Sequence, residues 1–154
     1  MLFRSDEGME YLISVLPMAV GSVDRLEEIP DRLKFLFEFD PMVALGRDEV
    51  AGVLHEPGAR DVIAALPDAI DRPLADRESF RAMANRVKER TGMKGKALFH
   101  PIRIALTGEG GGPELDLAVP AIERGAALPS SAGVAPIMSC RERVMAFAAA
   151  VRRR

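Results

Sequence analysis

The sequence has no tryptophan, one tyrosine, one cysteine and two histidines in 154 residues. A single thiol, Cys140, cannot close an internal disulfide, which fits a reducing cytoplasm. His55, His100 and Cys140 show no metal-ligand spacing, so neither a metal nor another cofactor is expected. A Cys–His nucleophilic pair would have to be assembled by the fold, and no further residue argues for one. No apolar run approaches the roughly 18 residues of a membrane span. The opening residues 1–7 lack a basic segment followed by an apolar core, so no secretory leader is expected. Strong basicity is missing too: 21 Lys and Arg stand against 23 Asp and Glu, a net charge of −2. That excludes a strongly basic nucleic-acid binder but not a local basic face.

What remains is a chain 48% hydrophobic and 29% charged, long enough to bury a core. It is rich in Ala, Leu, Met, Arg and Glu, which favour helices. Apolar residues at helical spacing predict a first helix over 6–20 (Met9, Leu12, Ile13, Leu16), bent or shortened by Pro17 and broken at Gly21–Ser22. A second runs over 28–37, with Pro30 at its start and Leu33, Leu36 and Phe37 inward; Asp40-Pro41 stops it. Short helices follow at 46–55 and 59–66, the latter ended by Pro67. Residues 67–73 read as a connector, dividing the chain into helical subdomains 1–72 and 73–154. Asp76 caps a long helix to Arg90, with Phe80, Met83, Ala84 and Val87 inward and Gly92 closing it. The next helix spans 97–107, then a glycine loop, then a short helix starting at Pro113. Residues 128–136 read as flexible. Ser139 and Glu142 form a capping box for a last helix with Val144, Met145, Phe147 and Ala148 inward. The expected fold is all-α, two packed helical subdomains without strands.

The most informative stretch is 94–115, KGKALFHPIRIALTGEGGGPEL. From residue 81 to 103 the chain carries Arg81, Arg86, Lys88, Arg90, Lys94, Lys96 and Arg103, opposed only by Glu89. Such a run is either a solvated face or a phosphate-facing strip, for which Arg86, Arg90, Lys94 and Lys96 are the candidates. Arg103 sits on an otherwise apolar helix. It is either solvated or salt-bridged, or it uses its planar fork on a base edge or phosphate. The glycine loop lacks the Gly-Lys-Ser/Thr of a P-loop, and Pro113 stands where a third dinucleotide-fingerprint glycine belongs. Either a tight interhelical turn or an RNA contact remains.

The order of Gly92, Lys94, Gly95, Leu98, Phe99, Pro101, Ile102, Arg103, Ala105, Leu106, Thr107 and Gly108, then Gly112, Pro113 and Leu115, resembles the C-terminal anticodon-binding region of bacterial glutamyl-tRNA synthetases. Arg25-Leu26-Glu27-Glu28-Ile29-Pro30 with Phe35-Leu36-Phe37 resembles the stem turn of the same region, and Glu142-Arg143-Val144 its end. The resemblance implies an RNA-binding site at Lys94, Lys96, Arg103, Gly112, Pro113 and Leu115. It implies a tRNA partner, of glutamate specificity, and a catalytic domain on another polypeptide or elsewhere in a longer chain. The ATP-phosphate elements of the synthetase catalytic domain, of the forms H-[IV]-G-H and K-x-S-K, do not occur in these residues, so catalysis is not expected of them. The arginine that the family carries upstream of the stem turn is replaced by Val20-Gly21-Ser22-Val23. A helical protein-interaction module that kept this scaffold and lost RNA binding is the alternative.

Overall fold

The structure is a computed structural model that describes residues 4–21 and 23–154. Met1, Leu2, Phe3 and Ser22, on which the reading of the chain start and of the first helix break partly rests, lie outside the described residues. Among the described residues nine α-helices follow one another: α1 (Arg4–Val20), α2 (Ile29–Phe37), α3 (Pro41–Leu45), α4 (Asp48–Leu54), α5 (Ala59–Ala69), α6 (Arg77–Thr91), α7 (Lys96–Thr107), α8 (Leu115–Ala126) and α9 (Cys140–Arg152). The described residues contain no strand, as the all-α reading requires. Among them, no helix is long and apolar enough to cross a membrane.

α5 is the axis of the packing. Its Val62, Ile63 and Leu66 side, with Ile70 just past its end, is buried, and α5 packs against α6, α7 and α9. Each fully buried Leu or Ile contributes roughly 1.5–3 kcal/mol. The apolar core runs without a break from Tyr11 to Val151, across residue 72. α6 and α9 start where local chemistry says they should. Asp76 and Ser79 form one reciprocal cap, Ser139 and Glu142 the other. Gly92 closes α6 in the left-handed region, at φ 74°.

Two charged side chains tie the bundle from inside. Arg143 on α9 is fully buried; it donates to the carbonyls of Phe35, Leu36, Leu106 and Met138 at 2.7–2.9 Å and lies 4.9 Å from the Phe39 ring centre. It therefore caps the ends of α2 and α7 together. Glu123 on α8 accepts from the backbone N–H groups of Leu74 and Cys140, at 2.7 and 2.8 Å, and so fixes the entries to α6 and α9.

Several local expectations are corrected. α1 carries two apolar ridges, and the one turned inward is Tyr11, Val15 and Ala19, while Met9, Ile13, Leu16 and Val20 are exposed. The inner ridge wins because the Tyr11 hydroxyl donates to the Ala121 carbonyl at 2.7 Å and Gly8 lets the backbone of residue 132 approach. Asp40-Pro41 does end α2, but it also opens α3, Asp40 accepting from the N–H groups of Met42 and Val43. α5 passes through Pro67 for two more residues, since a proline this late frees only one carbonyl while Ala69 stays buried. Pro113 precedes α8 rather than starting it, and α8 is twelve residues long. Met145 points outward. Within 128–136, Ser130–Ala132 forms a 3-10 turn packed on α1.

Candidate nucleic-acid interface

The chain leaves α6 through Gly92 and enters α7 through Gly95, both at positive φ, 74° and 59°. Glycine reaches this backbone without strain. The two reversals bracket Lys94 and bring Lys96 to the first position of α7, with both ammonium groups exposed. Among the described residues, no carboxylate lies within ion-pair reach of Lys88, Lys94 or Lys96.

α7 buries Leu98, Ile102, Ile104, Ala105 and Leu106, which leaves Phe99 and Arg103, one helical turn apart, on its free flank. Phe99 is 40% exposed. Its ring stands 6.5 Å from that of Phe80 on α6, tilted by 54°. Arg103 is half-buried, and burial lowers its pKa from the ordinary guanidinium value against the opposing charge of Glu109. Its Nη1 donates to the Pro113 carbonyl at 2.9 Å. The loop that presents this carbonyl is itself held: Gly108 caps α7 at φ 74°, Arg47 donates to the Gly108 carbonyl, and Gly112 turns at φ 141°. The loop is thus an ordered interhelical turn that fixes one edge of the Arg103 fork.

These groups surround an open cleft of about 490 Å³. Phe80, Ala84, Phe99 and Leu115 form its apolar walls; Asn85, Arg103 and Glu114 line its polar side, with Arg81 and Asp116 at the end toward α8. Arg81 and Arg77 are both paired with Asp116, at 2.9 and 3.2 Å. An aromatic wall beside a guanidinium and an amide is the composition that holds an unstacked nucleobase. Lys88 follows Arg81 and Ala84 on the same flank of α6 and carries positive charge along it.

The structure brings Arg103 and Leu115 to this cleft, with the Pro113 carbonyl and Gly112 against the Arg103 guanidinium, Lys94 before the N-terminal end of α7 and Lys96 at its first position. Arg86 and Arg90 turn to the other flank of α6. Arg86 donates twice to the Ala69 carbonyl and pairs with Asp71 at 3.3 Å; Arg90 pairs with Asp68 at 3.6 Å. Sequence reasoning placed Phe80 in the core, where it indeed lies at 2% exposure, and gave Phe99, Asn85 and Glu114 no role in the site. The available signal was the spacing of Phe99 and Arg103, four residues apart and hence on one helix flank.

Residues 2–128 match the family described as "Anticodon binding domain". Glutamate–tRNA ligase 1 of Maricaulis maris is 34% identical over 131 residues, 82% of this chain and 29% of that protein. Glutamate–tRNA ligase 2 of Nitrosococcus oceani is 34% identical over 116 residues, 75% of this chain and 22% of that protein. A shorter match, 55% over 49 residues, links the chain to glutamate–tRNA ligase 1 of Chelativorans sp., covering 32% of this chain and 11% of that protein. The chain spans less than a third of the length of these relatives, in their C-terminal region. No solved structure matches. With the family matched over most of its length, the chain belongs to the anticodon-binding domain family.

Proposed function

We propose that this chain binds the anticodon arm of a tRNA, of glutamate specificity, in the cytoplasm, in the service of aminoacylation. The catalytic step belongs to a separately encoded domain or to another part of a longer protein. The observation that carries this reading is the half-buried Arg103 fork, held on one edge by Pro113, which opens into a cleft walled by Phe99, with Lys96 one helical turn before that ring. The residues proposed for contact, Lys94, Lys96, Arg103, Gly112, Pro113 and Leu115 with Arg86 and Arg90, all lie in the proposed second subdomain, 73–154. In this reading the lysines meet phosphates, which position the RNA without reading it. Arg103 and the exposed Phe99 ring meet the bases, which are splayed in a single-stranded loop and accessible on their edges.

Anisotropy titration of the purified chain with a glutamate tRNA transcript and with a tRNA of different anticodon tests it. The reading expects the glutamate tRNA to bind more tightly and both to weaken as salt rises. No binding of either at low salt would overturn it.

A further inference from the structure

Glu114 has an unusual place beside a site for a polyanion. It is the residue before α8, and its carbonyl accepts from the N–H groups of Leu117 and Ala118. Its side chain, however, makes no cap to the helix. The carboxylate is exposed and lines the cleft instead. Its neighbour Asp116 is neutralised by Arg77 and Arg81. Among the described residues, no cation lies within ion-pair distance of Glu114. A free carboxylate repels phosphate, so here it would weaken RNA binding unless it faces hydrogen-bond donors on a base.

We infer that Glu114 is a specificity-determining acceptor, which accepts from the exocyclic amino group of a cytosine held against the exposed Phe99 ring in this cleft. The inference rests on the RNA-binding reading and adds a residue and a base to it. Cytosine offers one amino donor and two acceptors, N3 and O2, on the edge left free in an unpaired loop. The carboxylate accepts from the amino group; the part of the Arg103 fork not engaged by Pro113 donates to the acceptors. Uracil carries a carbonyl oxygen in place of that amino group, so its lone pairs would face the carboxylate. The cleft therefore rejects uracil by leaving Glu114 unsatisfied and opposed, which discriminates more sharply than a missing contact.

The test uses the full chain and four hairpin RNAs. One has three cytosines as its anticodon, and each of the others has one of them changed to uracil. Wild type should lose about tenfold in affinity when one particular cytosine becomes uracil, and little at the other two. Glu114→Ala should remove that difference by weakening the cytosine hairpin and strengthening its uracil counterpart. Glu114→Gln should keep part of it, since the amide retains a carbonyl acceptor. The residue is exposed, so circular dichroism should show each variant folded like wild type. If Glu114→Ala tightens all four hairpins alike, or leaves the cytosine preference intact, Glu114 reads no base and this inference falls while RNA binding stands. If wild type prefers cytosine at no position, the inference falls in the same way. Failure to bind any hairpin overturns the RNA-binding reading and this inference with it.

Discussion

The guanidinium of Arg103 donates to the carbonyl of Pro113 at 2.9 Å, across the glycine loop that separates α7 from α8. One edge of the fork is committed to the protein, which orders the side chain before any ligand arrives; the rest faces the cleft. A residue oriented in this way loses less conformational freedom on binding than an exposed arginine.

Removing that fork should cost about 1–3 kcal/mol on the preferred RNA and narrow its lead over others. Arg103→Lys should recover little of it, because an ammonium cannot donate from two places in one plane. Paired titrations with a matched and a mismatched anticodon hairpin measure both effects. Equal losses on the two RNAs would mean that Arg103 meets phosphate rather than a base.

Lys94 and Lys96 should behave differently. Changing both to alanine should weaken all RNAs alike and flatten the salt dependence of log K by up to about two units. Arg86→Ala with Arg90→Ala should change the slope by less, since Asp71, the Ala69 carbonyl and Asp68 already engage those guanidinium groups. Salt-series binding of the two double variants makes the comparison directly. A larger effect from the arginine pair would move the phosphate contact to the α5 side of α6.

Arg143 lies apart from the cleft, and its loss should be read in stability. Arg143→Met keeps much of the apolar stem but strands the carbonyls of Phe35, Leu36, Leu106 and Met138. Each buried carbonyl left without a donor costs about 1–3 kcal/mol, so a loss of several kcal/mol is expected by urea denaturation. A change below about 1 kcal/mol would show that water replaces the guanidinium.

Tyr11 supplies a pH signature. Burial raises its pKa from 10.0 to about 12, against the charges of Arg124 and Arg143. The unfolded phenol ionises first, so the folded state holds more protons between those values. Stability from this group is whole below pH 10 and is lost as pH rises toward 12. The loss should be roughly 2 kcal/mol, and Tyr11→Phe should remove that component of the alkaline decline while lowering stability near neutrality. Denaturation midpoints of both proteins from pH 8 to 12 provide the check. An unchanged alkaline decline in Tyr11→Phe would assign it to other groups.

The reciprocal cap of Ser139 and Glu142 was legible in the sequence because it depends on residues three positions apart, and Asp76 was legible as a helix cap, though not its exchange with Ser79. So was Arg103, a lone cation on an apolar helix within a recognisable motif. Tertiary choices were not legible in the same way. α1 offers two apolar ridges of comparable quality, and only the partner surface, with Ala121 to accept from Tyr11, decides between them. Glu123 and Arg143 look like ordinary surface charges in sequence; their burial depends on backbone groups far along the chain. The cleft joins α6, α7 and α8, so Phe80 meets Phe99 through packing that no local spacing encodes. Pro67 misled for a related reason, since the fold tolerates one freed carbonyl when the apolar face continues.

Mapping the contact by NMR tests the central claim most directly. An anticodon-arm hairpin is added stepwise to the isotope-labelled chain at low salt, with an acceptor-stem hairpin of equal length and charge as the comparison. The account predicts that the anticodon hairpin binds more tightly and shifts the Arg103 side-chain N–H signal together with the Phe99 and Phe80 ring signals. Equal binding of the two hairpins, or shifts gathered on the exposed ridge of α1 while the cleft signals stay still, would contradict it.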